Sequence, residues 1–254
     1  MAKQTLLEIV QDILSAMESD DVNSISDTEE AEQVARVVRG VYFDLVPSAN
    51  LHEHFTLFEL EASSSSTPTI MSVPTSIVFV DWIKYNQATT ALPSPKFLSV
   101  QFLPLDEFFE RMYGLDTTQT EIGNWTLTIG SDSINILGYK DRFPTFVTTY
   151  NDNTLIFDAY NADEDDFLQK NKTLAYGKKS PSFSLTDSFV PDLDDEQFSL
   201  LKNEAKAVAF KELKQMDHNK AEQGAKRGWR RVQKAKRKIF ENNELNRLPN
   251  YGRK

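Results

Sequence analysis

TFVTTYNDNTLIFDAY, residues 145–160, decides how the middle of this chain is built. Two short runs of β-branched and aromatic residues flank the Asn-Asp-Asn of 151–153, and that arrangement predicts a tight β-hairpin. The same signature recurs on the N-terminal side in HFTLFELEA (54–62), TSIVFVDWIKY (75–85), KFLSVQFL (96–103), NWTLTIG (124–130) and SINILGY (133–139). Pro, Gly, Asn and Asp separate these runs, as they do between strands. EASSSSTPT (61–69) reads as a flexible loop whose removal is tolerated, and PLDEFFERMYG (104–114) as a short helix punctuating the sheet.

On either side of this block the period changes. Leu6, Ile9, Val10, Ile13, Leu14 and Met17 recur at the three-and-four spacing of a helix face. Asp27 and Glu30 have the spacing of a capping box, and Val34, Val37, Val38, Val41 and Leu45 continue a second helix that Pro47 is expected to stop. After Pro191, Asp194 suits a helix cap ahead of Phe198, Leu201, Ala205, Val208 and Leu213. A further stretch, 219–241, aligns Ala221, Ala225, Trp229, Val232, Ala235 and Ile239. The fold class expected from this order is α+β, a helical bundle of about four helices. A β-rich insertion sits between helix two and helix three, and an extended basic arm ends the chain. The divisions are a helical hairpin at 1–47, the insertion at 48–189, C-terminal helices at 190–241 and an extended docking tail at 242–254.

Charge is distributed unevenly. The formal net charge is −10, yet from Leu201 onward 16 Lys and Arg face 6 Asp and Glu, leaving 12 against 32 for residues 1–200. Residues 227–238 alone carry seven positive charges around Trp229. An acidic body repels phosphate, so a basic end on such a body points to an acidic or mixed protein surface as its target.

Catalytic signatures are absent from the sequence. It lacks the phosphate-cradling glycine loops, the nucleophile elbow and the HExxH metal pair. Three histidines and no cysteine supply neither a histidine triad nor thiolate chemistry. His52 and His54 read as strand residues, and Asp163–Asp166 as a solvated acidic loop without the spacing of a calcium loop. No cofactor or metal is expected. No apolar run is long enough to cross a bilayer, and the first residues do not form a signal peptide, so a soluble protein is expected.

Two stretches carry a resemblance. TLLEIVQDILSAMESDDVNSISDTEEAEQVARVVRGVYFDLV (5–46) resembles the first helical hairpin of head-to-tail adaptor, or neck, proteins of tailed bacteriophages. DRFPTFVTTYNDNTLIFDAYN (141–161) and the segment from Lys172 to Arg227 resemble their C-terminal half. The resemblance implies a virion structural protein and no enzyme. It implies a ring of twelve copies below the portal, bound to the portal and to a downstream tail or nozzle protein, with DNA passing through the bore without specific binding. The location implied is the virion neck, after synthesis in the host cytoplasm. The basic helix and the tail LNRLPNYGRK are similar to the arms that dock on the portal. That similarity assigns portal binding to Trp229, Arg230, Arg231, Lys234, Arg237, Lys238, Leu248, Tyr251 and Arg253. A rival reading makes the same helix a nucleic-acid ligand. Trp229 would then stack on bases while Lys234, Lys236, Arg237 and Lys238 hold phosphates. A third, a virion-borne glycan hydrolase, has abundant carboxylates but no pair that can be placed.

Overall fold

The structure is a computed structural model that describes residues 3–49, 54–129, 132–151 and 153–247, the stretch from 235 onward as backbone alone. Among these residues lie five helices: α1 (Leu6–Ala16), α2 (Glu29–Ala49), α3 (Leu105–Tyr113), α4 (Asp195–Leu213) and α5 (Asn219–Arg247). The strands are β1 (Phe55–Phe58), β2 (Ile70–Ser72), β3 (Ile77–Asn86), β4 (Phe97–Phe102), β5 (Ile122–Ile129), β6 (Asp132–Tyr139), β7 (Phe146–Asn151), β8 (Thr154–Phe157) and β9 (Thr173–Lys179). The chain divides into two compact units, one of residues 1–53 with 181–254, the other of residues 54–180.

In the helical unit, α1 opens on a reciprocal cap. The Glu8 N–H donates to Thr5 Oγ1 at 3.3 Å, and the Thr5 N–H donates to Glu8 Oε2 at 2.8 Å. Its stripe of Leu6, Ile9, Val10, Ile13 and Leu14 is buried, as the spacing predicts. The start of α2 differs from expectation by one residue, because Thr28 Oγ1 accepts the Ala31 N–H at 3.1 Å. Asp27 instead turns back, accepting the N–H groups of Asn23 and Ser24 at 2.7 and 2.8 Å. Pro47 does not stop α2 but lies within its last turn. Asp194 caps α4 as expected, its Oδ1 accepting from the Gln197 N–H at 2.8 Å. A strap leading into α4 closes the unit. The carbonyl of Phe189 accepts the otherwise orphaned Leu6 N–H at 2.7 Å, and Phe183 packs its ring 5.3 Å from that of Tyr42.

The second unit is built on a seven-stranded sheet of order β1-β9-β3-β4-β7-β8-β2, with β5 and β6 forming a separate ribbon. Neighbours are antiparallel except β4 and β7. The predicted hairpin joins β7 to β8, and Asn151 Oδ1 accepts the N–H groups of Asn153 and Thr154 at 3.1 and 2.7 Å. One apolar core, with Ile83, Tyr85, Val100, Val147, Phe157 and Ala175, fills the face that both halves of the sheet share. A second core, with Phe108, Met112, Ile136 and Ile156, covers the back of β7 and β8 with α3 and the ribbon. The back of β1, β9 and β3 carries no such cover among the described residues.

These features overturn the expected fold class. The chain is mixed α/β and more β-rich than a helical bundle carrying one insertion. The reason is non-local pairing: β1 joins β9, with Phe55 opposite Lys178, so the middle of the chain closes on itself around cores of its own. The extended arm is corrected in part as well, since α5 continues as helix through Arg247. The expected flexible loop is also a fixed element. The Glu61 N–H donates to the Ser72 carbonyl at 2.9 Å, Ser63 Oγ donates to the carbonyls of Pro68 and Leu168, and Thr69 is fully buried.

Candidate docking surface on the C-terminal helix

The candidate site begins at the turn before α5. His218 Nδ1 accepts the Ala221 N–H at 3.0 Å, which serves as the helix cap, and its ring packs 4.5 Å from that of Phe210. Ala221, Ala225 and Val232 are buried along one side. Between them Gly224 and Gly228 let the two helices approach closely. A Cβ on Gly224 would stand 2.7 Å from Asn203 Oδ1, and one on Gly228 would stand 3.0 Å from Leu200 Cβ. A helix face made of Ala and Gly thus seats α5 closely against Asn203 and Leu200 of α4. This four-residue glycine spacing is legible in the sequence, although the expectation above rested on the apolar stripe alone.

Trp229 is half-buried and packs against the core of the helical unit. It also lines a groove of about 300 Å³ between α4 and α5, with Glu204, Val208 and Lys211 on one wall and Glu222 and Lys226 on the other. Arg230, Arg231 and Lys234 are exposed on α5. Arg237 and Lys238 lie on the same helix, where only the backbone is described, and Leu248, Tyr251 and Arg253 lie outside the described residues. The structure therefore brings Trp229 and the three exposed cations onto one anchored helix. Burial first, and the neighbouring Lys220 second, hold the Lys206 ammonium of α4 below the ordinary lysine range. Lys206 of α4 and Lys220 of α5 are thus near enough to oppose each other's charge.

Other titratable clusters are occupied with holding the fold. Asp158 is buried, and burial raises its pKa while the Phe146 and Thr145 N–H groups, donating to Oδ1 at 2.9 and 2.8 Å, pull it back. In the acidic loop Asp165 pairs with Lys172, and Glu164 accepts from the Thr90 N–H and hydroxyl at 2.8 and 3.0 Å. The loop expected to be solvated is thus tied at two points. Burial pushes the Tyr85 hydroxyl up to about 12. Among the described residues there is no cluster of three or more His, Asp or Glu that could hold a metal ion, and no helix is long and apolar enough to cross a membrane.

No protein-family model matches the chain, and no curated protein is similar to it.

Proposed function

We propose that this chain is a structural virion protein, a head-to-tail adaptor that forms a ring below the portal and docks on it through α5. The observation that carries the reading is the anchoring of a basic helix on an acidic chain. Ala221, Gly224, Ala225, Gly228 and Val232 fix the first half of α5 to α4, while Arg230, Arg231 and Lys234 stay exposed. Past Val232 the helix continues for ~22 Å at 1.5 Å per residue, through Lys236, Arg237, Lys238 and Arg247. A rigid, anchored cationic rod suits a fixed acidic groove, because little side-chain and backbone freedom is lost on docking. The acidic remainder of the chain suits a bore through which DNA slides without adhering.

The test is co-sedimentation with the portal protein of the same virus, and separately with duplex and single-stranded DNA, across a salt series. Reversing Arg230, Arg231 and Lys234 together to Glu is expected to abolish portal docking, whereas single reversals each cost about 1 kcal/mol. Truncation after Arg247 is expected to weaken docking without unfolding the body. Undiminished portal binding by both variants, with DNA affinity that collapses as salt rises, overturns the proposal in favour of nucleic-acid binding.

A further inference from the structure

Gly224 and Gly228 make room for α4, but a Cβ on Gly40, in the middle of α2, would meet nothing within 4 Å. Glycine is among the poorest helix formers at an interior position, and no neighbour among the described residues requires it there. Gly40 lies instead in a groove of about 540 Å³ between α2 and the C-terminal end of α4. Val37, Val41, Val208 and Leu213 give this groove an apolar lining, and Asp44 and Glu212 stand along it as exposed acids. The cation that lines it, Arg36, pairs with Glu32 one turn earlier. Among the described residues neither Asp44 nor Glu212 has an ion pair.

Residues 248–254, Leu-Pro-Asn-Tyr-Gly-Arg-Lys, carry the complementary chemistry. Leu248 and Tyr251 supply apolar and aromatic area, and Arg253 and Lys254 supply cations for the two acids. This segment cannot reach the groove of its own chain. The helices α4 and α5 run antiparallel, with Gly224 beside Asn203 and Gly228 beside Leu200, which sets Val208 level with the first turn of α5. From that level to Arg247 is ~40 Å at 1.5 Å per residue, whereas seven residues span at most ~25 Å when fully extended.

We infer that the α2–α4 groove is the docking site for residues 248–254 of a second copy of this chain. Gly40, bare of a side chain, lets the incoming backbone approach α2 closely. Each copy then offers a groove on one part of its helical unit and a segment on another, so the contact runs head to tail. Such contacts close into a ring when the rotation per copy permits. The closed ring rests on the adaptor reading; the contact does not. It gives Leu248, Tyr251 and Arg253 a partner in the neighbouring copy rather than on the portal, and removing them weakens portal docking by loosening the ring.

The experiment is sedimentation of the full chain at increasing concentration, with neither portal nor DNA present. Wild type is expected to self-associate without stopping at a dimer. Truncation after Arg247 removes the segment, while Gly40→Leu with Glu212→Lys fills the groove and reverses one of its acids. Each is expected to raise the dissociation constant about tenfold or more. Neither should melt earlier than wild type at a concentration where all are monomeric, since leucine is the better helix former. An equal mixture of the two should form a complex of one copy of each and go no further, because one retains only the groove and the other only the segment. The chain has no cysteine, so oxidising a Val37→Cys, Asn250→Cys variant reports on this contact alone. It should give a ladder of linked dimers, trimers and larger species, where either single change stops at dimers. A wild type that stays monomeric, a blocked variant that associates like wild type, a mixture that stays monomeric or grows past a pair, or a disulfide closed within one chain overturns the inference. None of these variants alters Arg230, Arg231 or Lys234, so loss of portal docking through them and loss of this contact are separate results.

Discussion

Gly228 of α5 lies so close to Leu200 of α4 that a Cβ on the glycine would stand 3.0 Å from both Cβ and Cδ1 of the leucine. Leu200 is fully buried and cannot retreat without disturbing the core. Gly228→Ala therefore sets a helix-propensity gain of about 1 kcal/mol against overpacking of ~1–3 kcal/mol, and the net effect should be small or unfavourable. Gly228→Leu has no such offset and should loosen α5 from α4. Hydrogen exchange along α5, faster in the leucine variant than in the alanine one, checks this ordering.

Trp229 is shared between the core and the α4–α5 groove, so Trp229→Ala should lower the stability of the helical unit by about 2 kcal/mol in addition to weakening docking. Trp229→Phe, which keeps most of the buried ring, should recover stability. Thermal unfolding beside portal co-sedimentation separates the two effects. Alanine at Trp229 with an unchanged melting temperature would place the ring outside the core.

Asp158→Asn tests the buried carboxylate. Burial raises its pKa in the fold, so the native state holds the proton more tightly than the unfolded chain does. The ionised form then costs stability, a penalty absent below the unfolded carboxylate pKa and growing as pH rises through the folded one. Asparagine keeps an oxygen to accept from Thr145 and Phe146 and removes the charge. The variant should match or exceed wild type at pH 7, and that advantage should vanish toward pH 3. A variant less stable at pH 7 than at pH 3, relative to wild type, contradicts this balance.

Deletion of residues 61–69 should destabilise the second unit, because the Thr69 carbonyl accepts the Phe157 N–H at 2.9 Å and Ser63 ties the stretch to Leu168. Ser64→Ala and Ser66→Ala, both at exposed positions, should change stability by no more than about 0.5 kcal/mol. Chemical denaturation of the three variants distinguishes a fixed element from a loose one.

Local patterns carried the helices well and the sheet poorly. The α1 stripe and the Asp194 cap depend on residues three and four apart, which the sequence displays directly. Thr28 and Asp27 are adjacent and both suit a cap, so only the backbone turn at Asn23 and Ser24 decides between them. The β1–β9 pairing joins Phe55 to Lys178, and no spacing rule spans that separation. In TSIVFVDWIKY the alternation is broken twice by bulges that leave Val78 and Asp81 without a direct opposite on β9, so the outward placing of Trp82 was not legible. On α5 the stripe was legible, but Trp229 belongs to it as well as to the groove, and a stripe does not say how deeply a ring is seated.

The pairing of Phe55 with Lys178 also governs how the second unit answers to force. The chain enters at the start of β1 and leaves at the end of β9, two antiparallel neighbours whose leads emerge side by side. Tension between those leads loads the β1–β9 hydrogen bonds one after another, as in opening a zipper, instead of shearing the whole ladder together. A short edge strand of four residues is the first element to yield. A pull through the helical segments would thus peel β1 away at low load while the remaining six strands stay paired.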